Sequence, residues 1–407
     1  MINIERLMSR LEELSKIGKT RDGGVTRFSF TEEEKEANAL VARFMEEAGL
    51  TVEYDAVGNL IGSREGEEGL PVILLGSHID TVPNGGKFDG PVGVLSAIEV
   101  MHALNEEGVS LRHPVKVISF KDEEGSRFGF GMIGSRAVAG TLAMEDLERT
   151  DDRGVSILQA MEEAGFPLDA AKLQTAKMDK VKAYLEVHIE QGKVLERNNV
   201  GVGNVTGIAG PVWLKMKVGG EAEHAGATPM GQRKDALVAA SMIIQEAEKI
   251  ARMHPPAVAT VGKIAVSPNG VNVIPGEVEW TIDIRSTDEK QRDEVERAIV
   301  AFAERTAEER DMRLEISELQ RVPPVGCDER IQTLIQESIA EIGAETVSLP
   351  SGAGHDGMQF KDRFPIGMIF VRSIDGISHN PRELSLAEDI EKGAEVLYRT
   401  LLKLDRE

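Results

Sequence analysis

The run LPVILLG at residues 70–76 is short, apolar and β-compatible, and the order of elements beyond it limits the fold most. Residues 91–104 read as a mostly buried helix and residues 115–120 as another strand. Strand and helix alternating in this way imply an α/β layer: a mixed, largely parallel sheet with helices on both faces. Upstream, Thr31 and Glu34 have the spacing of a capping box. Ala37, Leu40, Val41, Phe44 and Ala48 then recur at helical intervals until Gly49 offers a stop.

From about residue 211 the order changes to strand, helix, strand, strand, helix, strand, which is the split ferredoxin-like pattern. Residues 211–323 are therefore expected to form an inserted α+β domain, with GIAGP and RVPPVG as hinges. Residues 1–210 and 324–407 would form one discontinuous domain. The strand PIGMIFV and a terminal helix, with Ser385 and Glu388 as a second capping box, return the chain to it.

The chain has 407 residues, room for two or three domains. Its 47 Lys and Arg against 69 Asp and Glu give a formal charge of −22, which repels a phosphate backbone and argues against a nucleic-acid partner. Cys327 is the sole cysteine, so no intrachain disulfide can form. The N-terminus lacks the apolar core of a signal peptide, and no segment has the run of roughly 20 apolar residues that spans a bilayer. A cytoplasmic location with no membrane partner is expected.

Ligands gather beyond the carboxyl ends of strands in such sheets, and four such places carry polar residues. His78 and Asp80 come at the end of the first strand, with Asp89 across a glycine-rich turn. A carboxylate beside a histidine fixes its tautomer, although a polar loop with a capped histidine reads the same way. Glu123 and Glu124 are adjacent carboxylates, costly together unless a cation or proton offsets them; many acidic loops are merely solvated. In AYLEVHIEQG, His188 lies on the face opposite Leu185, Val187 and Ile189, where a strand histidine is ordinarily exposed. His379 comes after PIGMIFV. Imidazole and carboxylate suit zinc and its neighbours, and a shared carboxylate suits two ions roughly 3.5 to 4 Å apart.

The motifs SHIDTVPNGGKFDGPVG, DEEGSRFG, HIEQG, HAGATPM, SGAGHDG and GISHNP together resemble the zinc metallopeptidase superfamily of the glutamate carboxypeptidase and aminoacylase type. Within it they look most like the carbamoyl-amidohydrolase branch: N-carbamoyl-L-amino-acid hydrolases, allantoate amidohydrolases and β-ureidopropionases. The resemblance implies two divalent ions per subunit (zinc, manganese, cobalt or nickel) and a homodimer formed through the inserted domain, which would also act as a lid. It implies His78, Asp89, Glu124, His188 and His379 as ligands, with Asp89 shared. Glu123 would be the general base and Asp80 the partner of His78. Peptidase members commonly carry a carboxylate where HIEQG has His188, which points away from peptides and toward ureides.

His224 would stabilise the oxyanion by the same analogy. Arg285, whose planar guanidinium suits a carboxylate, would hold the substrate together with Asn272; a surface ion pair with Asp283 is the competing reading. Gln191, His355 and Asp356 are expected in or near the pocket. The expected reaction is hydrolysis of an N-carbamoyl-L-amino acid to the amino acid, ammonia and carbon dioxide. Allantoate and 3-ureidopropionate, each with a ureido group and a carboxylate, are the alternatives, and a non-catalytic metal-braced binding module is the remote one. The sequence GFGMIG at 129–134 has the form of a dinucleotide fingerprint but stands about eight residues beyond its strand, beside two carboxylates that would repel a pyrophosphate.

Overall fold

A computed structural model describes residues 1–407. Its strands are β1 Thr51–Tyr54, β2 Leu60–Arg64, β3 Val72–His78, β4 Val115–Phe120, β5 Val181–Ile189 and β6 Val202–Ile208, then β7 Gly210–Gly219, β8 Val258–Ser267, β9 Glu277–Ser286 and β10 Arg313–Arg321, and finally β11 Val325–Gly326, β12 Ser348–Ser351 and β13 Ile366–Val371. The chain divides into two compact units. One comprises Met1–Thr206, Cys327–Ser351 and His355–Glu407; the other comprises Gly207–Gly326 and Gly352–Gly354.

The first unit has strand order β1-β2-β4-β3-β5-β13-β6, with β12 also pairing β6. Its centre, β4-β3-β5-β13, is parallel, while β1, β2 and β6 pair antiparallel. One sheet face is buried by the helices Ile4–Leu14, Glu32–Glu47, Pro91–Glu106, Glu329–Glu341 and Ala387–Asp405. Ala183, Leu185, Val187 and Ile189 of β5 supply that core. The opposite face of β5 carries Tyr184, Glu186 and His188, and all three are buried as well. Period-two alternation thus holds, but both faces are covered. Phe120, Tyr184, Phe360 and Phe370 line this second face, where the ring centroids of Tyr184 and Phe360 are 5.1 Å apart.

Two capping expectations need correction. Thr31 accepts from the Glu34 N–H, but the Glu34 carboxylate accepts from Phe30 N–H and pairs at 2.7 Å with the buried Lys121 rather than closing the box. At the last helix, Leu386 is the N-cap and Ser385 Oγ donates to the Arg372 carbonyl instead. A buried lysine and an unpaired strand-end carbonyl compete for these groups more strongly than a solvated helix terminus does.

The second unit has strand order β10-β7-β9-β8, antiparallel throughout. The helices Ala236–Arg252 and Glu289–Glu309 pack on one face, their apolar stripes closing over Trp280, Ile282 and Ile284. Strand β9 alternates half-buried and buried residues along its whole length, with Glu279, Thr281, Asp283 and Arg285 on the polar face. Cys327 is buried, and burial pushes its thiol up to about 12, so it is an inert core residue. No helix is long and apolar enough to cross a membrane.

Candidate metal centre and active site

Strand β3 ends at His78, so Asp80 belongs to the loop beyond it. The fully buried Arg27 guanidinium anchors that loop, donating from Nε to the Ile79 carbonyl at 2.6 Å. The next helix can begin against the His78 imidazole only because residue 90 is glycine. Gly90 has φ +80°, and a Cβ there would lie 2.5 Å from His78 Cε1.

The two buried imidazoles have their tautomers set by the backbone. His78 Nδ1 is 3.0 Å from the Asp80 carbonyl, and His188 Nδ1 is 2.9 Å from the Ile189 carbonyl. A carbonyl only accepts, so each Nδ1 carries the hydrogen and each Nε2 presents its lone pair to the cavity. Between them stands Asp89: Oδ1 is 3.2 Å from His188 Nε2, and Oδ2 is 3.1 Å from His379 Nε2. Glu124 Oε1 is 3.6 Å from that same His379 nitrogen. Ligand atoms of His78, Asp89 and His188 lie within 4.8 Å of one another, and so do those of Asp89, Glu124 and His379. Asp89 is common to both groups, with one oxygen toward each.

The charges here are mutually dependent. Burial opposes a charged His78, but the carboxylates of Glu123 and Asp80 outweigh it and hold the imidazole well above its usual range. Burial raises Asp89, yet the imidazoles of His188 and His379 standing against its two oxygens carry it well below the usual carboxylate range. Burial and the neighbouring Asp89 push Glu124 up to about 7, and the hydrogen bond to Asp89 lifts His379 to about 9. Burial also holds Glu123 well above its ordinary value. Three imidazoles and four acids packed this closely need protons or cations between them.

The residues fit divalent cations. The buried His188 Nε2 makes no hydrogen bond although Asp89 Oδ1 is 3.2 Å away, which leaves a lone pair facing carboxylate oxygen. A mixed imidazole and carboxylate set suits zinc, manganese, cobalt or nickel.

Asp80 does more than the sequence pattern suggested. Its carboxylate stands 3.6 Å from His78 Nδ1, while its oxygens accept the Glu123 N–H at 3.2 Å and the Glu124 N–H at 3.1 Å. The Asp80 backbone carbonyl orients His78, and the Asp80 side chain orients the acid pair. Asp122, just before that pair, has φ +56°. The GFGMIG segment completes the turn: Met132 N–H donates to the Glu123 carbonyl and Gly134 N–H to the Lys121 carbonyl. These amides are committed internally, which excludes a pyrophosphate cradle. Glu123 belongs to neither ligand group; its Oε2 is 3.7 Å from His78 Nε2.

Gln191 (φ +57°) stands two residues beyond the end of β5 and donates from Nε2 to Asp89 Oδ2 at 2.8 Å. It therefore lies at the centre itself. His379 also has φ +54°. Left-handed backbone at Asp122, Gln191 and His379 costs roughly 1–3 kcal/mol each and clusters where side chains must be aimed. His355 packs edge-on against His188, with centroids 4.4 Å apart, and its Nε2 is 2.7 Å from Ser351 Oγ. Asp356 is fully buried. Both are buried beside the site's histidines.

His224, Asn272 and Arg285 belong to the second unit. His224 is exposed and bridges to Val273, while Ala225 N–H donates to the Asn272 carbonyl, so one loop pair carries both. Arg285 donates from Nε and Nη2 to Asp283 and from Nη1 to the Gly352 carbonyl at 2.8 Å. The ion pair that competed with the substrate role is thus present, and it leaves two of the five guanidinium N–H groups uncommitted. Sequence reasoning missed Glu383 and gave Ser378 no role. Ser378 Oγ is 3.0 Å from Asp89 Oδ2, and Glu383 Oε1 accepts the Asp89 N–H. The only signal for Glu383 was an acid five residues beyond Ser378.

A parallel-centred sheet that gathers histidines and acids around one shared carboxylate, with a free glutamate alongside, defines a hydrolase. The family model for Peptidase family M20/M25/M40 matches residues 74–403, and the chain belongs to this family. An N-carbamoyl-L-amino acid amidohydrolase from Geobacillus stearothermophilus is 51% identical over 405 residues, covering 99% of both chains. An allantoate amidohydrolase from Bacillus subtilis is 38% identical, covering 97% of this chain and 96% of that protein. The crystal structure of an amidase of the hydantoinase/carbamoylase family from Burkholderia multivorans superposes with a TM-score of 0.95 at 36% identity, covering 100% of this chain and 98% of that one. The chain is an amidohydrolase of linear amides, within the carbamoylase branch of the family.

Proposed function

We propose that the chain hydrolyses the ureido C–N bond of N-carbamoyl-L-amino acids, releasing the L-amino acid, ammonia and carbon dioxide. The observation that carries this reading is Asp89, whose two oxygens face two separate ligand groups. His78, Asp89 and His188 would hold one divalent ion; Asp89, Glu124 and His379 would hold the other. When bound, such ions supply Lewis acidity that polarises the ureido carbonyl and acidifies water. Glu123 is buried, aligned through its own N–H by Asp80, and free of either ligand group. Its Oε2 would take the proton of the attacking water and return it to the leaving nitrogen.

Substrate choice rests on the 51% identical relative, over nearly the full length of both chains. Arg285, held by Asp283 with two N–H groups to spare, would take the substrate carboxylate, with His224 and Asn272 presenting polar groups from an exposed loop. A homodimer is supported by the second unit: β8 is a sheet edge, and Val258 and Ile264 on it, with Leu237, Val238 and Met242 on the helix Ala236–Arg252, are exposed. An unpaired edge flanked by apolar side chains is stabilised by pairing with a second copy. A lone buried cysteine fits the cytoplasm.

Allantoate is the second reading, favoured by the 38% identical relative. Ammonia release measured on a panel of N-carbamoyl-L-amino acids, allantoate and 3-ureidopropionate decides between them. Turnover concentrated on allantoate would overturn the carbamoyl-amino-acid assignment.

A further inference from the structure

Asp89 and the loop that carries His379 lie far apart in sequence, and one side chain ties them together. Glu383 is buried. Its Oε1 accepts two successive backbone N–H groups, Phe88 at 2.9 Å and Asp89 at 3.1 Å. Its Oε2 is 2.8 Å from Ser378 Oγ, which also stands 3.0 Å from Asp89 Oδ2, a partner 289 positions away in sequence. Gln191 Nε2 lies 3.1 Å from the same hydroxyl and 2.8 Å from the same Asp89 oxygen. The backbone opposite has been cleared for this carboxylate: a Cβ on Gly86 would sit 2.0 Å from both Cδ and Oε1 of Glu383.

Burying a carboxylate is costly unless several donors meet it, and here three do. Two of those donors are the amides that set the direction of the Asp89 side chain. The third is the Ser378 hydroxyl, whose single hydrogen is shared between Glu383 Oε2 and the Asp89 oxygen that faces His379. Glu383 belongs to neither ligand group and, only 6% exposed, is too enclosed to meet substrate.

We propose that Glu383 is the positioning residue of the centre, fixing Asp89 through the 88–89 amides and Ser378 so that one Asp89 oxygen is turned toward each ligand group. The inference rests on the two-ion reading of the site and deepens it. Removing an outer partner of a metal ligand typically weakens metal binding about 10- to 100-fold.

The experiment is an equilibrium titration of Mn²⁺ into the chelator-stripped full-length protein, comparing wild type, Glu383→Ala, Glu383→Gln and Gly86→Ala, with circular dichroism to establish folding. Glu383→Ala is expected to weaken Mn²⁺ binding about 10- to 100-fold while KM at saturating Mn²⁺ stays at the wild-type value. Glu383→Gln keeps an oxygen for the two amides and should fall between. Gly86→Ala, which displaces the carboxylate without altering it, should reproduce the loss. A folded Glu383→Ala protein with wild-type Mn²⁺ affinity overturns the proposal, as does an unchanged affinity accompanied only by a lower melting temperature. Should Glu383→Ala not fold, wild-type affinity in both Glu383→Gln and Gly86→Ala overturns it instead. A wild-type protein that binds no Mn²⁺, Zn²⁺, Co²⁺ or Ni²⁺ would overturn the two-ion reading itself, a different outcome from a variant indistinguishable from a metal-binding wild type.

Discussion

Replacing Glu123 by glutamine isolates the proton-transfer role from metal binding. The substitution keeps the shape of a side chain that is only 9% exposed. It also preserves the Asp80 bond to residue 123, because the donor there is the backbone N–H at 3.2 Å. Glu123 lies outside both ligand groups, so their geometry should survive. What disappears is an acidic group beside His78 that belongs to neither ligand group, its Oε2 3.7 Å from the imidazole. A positioned general acid–base group contributes typically 10²- to 10⁴-fold, equivalent to about 2.7–5.4 kcal/mol of barrier at about 1.36 kcal/mol per decade. Glu123→Gln should therefore lose kcat by about that factor, measured as ammonia release from an N-carbamoyl-L-amino acid. Elemental analysis should find its metal content equal to that of wild type. Near-wild-type turnover would remove Glu123 from the role, and loss of metal would show it to be a ligand.

Arg285→Lys should raise KM for carboxylate-bearing substrates and leave metal content alone, because a lysine cannot keep Asp283 while offering two parallel donors; steady-state kinetics with an unchanged KM would place the clamp elsewhere. Chelator-stripped protein should lose stability as pH rises. The folded-state Glu124 titrates near 7 against 4.5 for the free group, and His379 near 9 against 6.5. Both raised values mean stability present at low pH and lost through those windows, and melting temperatures that rise between pH 5 and 9 would contradict it. Ile264→Glu on the β8 edge should convert a dimer to monomer in sedimentation, with the β8–β9 pairing intact; an unchanged mass would exclude this edge as the interface.

Much of the architecture is carried by local pattern. The strand Val115–Phe120 and the helix Pro91–Glu106 come from apolar runs buried on nearly every side, and the alternation along β9 comes from a period of two that gives one face to the core. The residue types at the strand ends were also readable, because imidazoles and carboxylates in apolar surroundings require a partner. Tertiary structure decided how those groups are shared. That Asp80 offers its carbonyl to His78 and its carboxylate to two amides depends on loop backbone directions, which no spacing encodes. That Glu34 pairs with Lys121 instead of closing its own cap depends on which charge is buried beside it. Glu383 was invisible for the same reason: its donors at Phe88 and Asp89 are brought to it by a parallel sheet whose neighbouring strands are distant in sequence. Periodicity reports which face a residue occupies, whereas the partner of a buried polar group is chosen by three-dimensional competition among all the donors and acceptors that folding brings within reach.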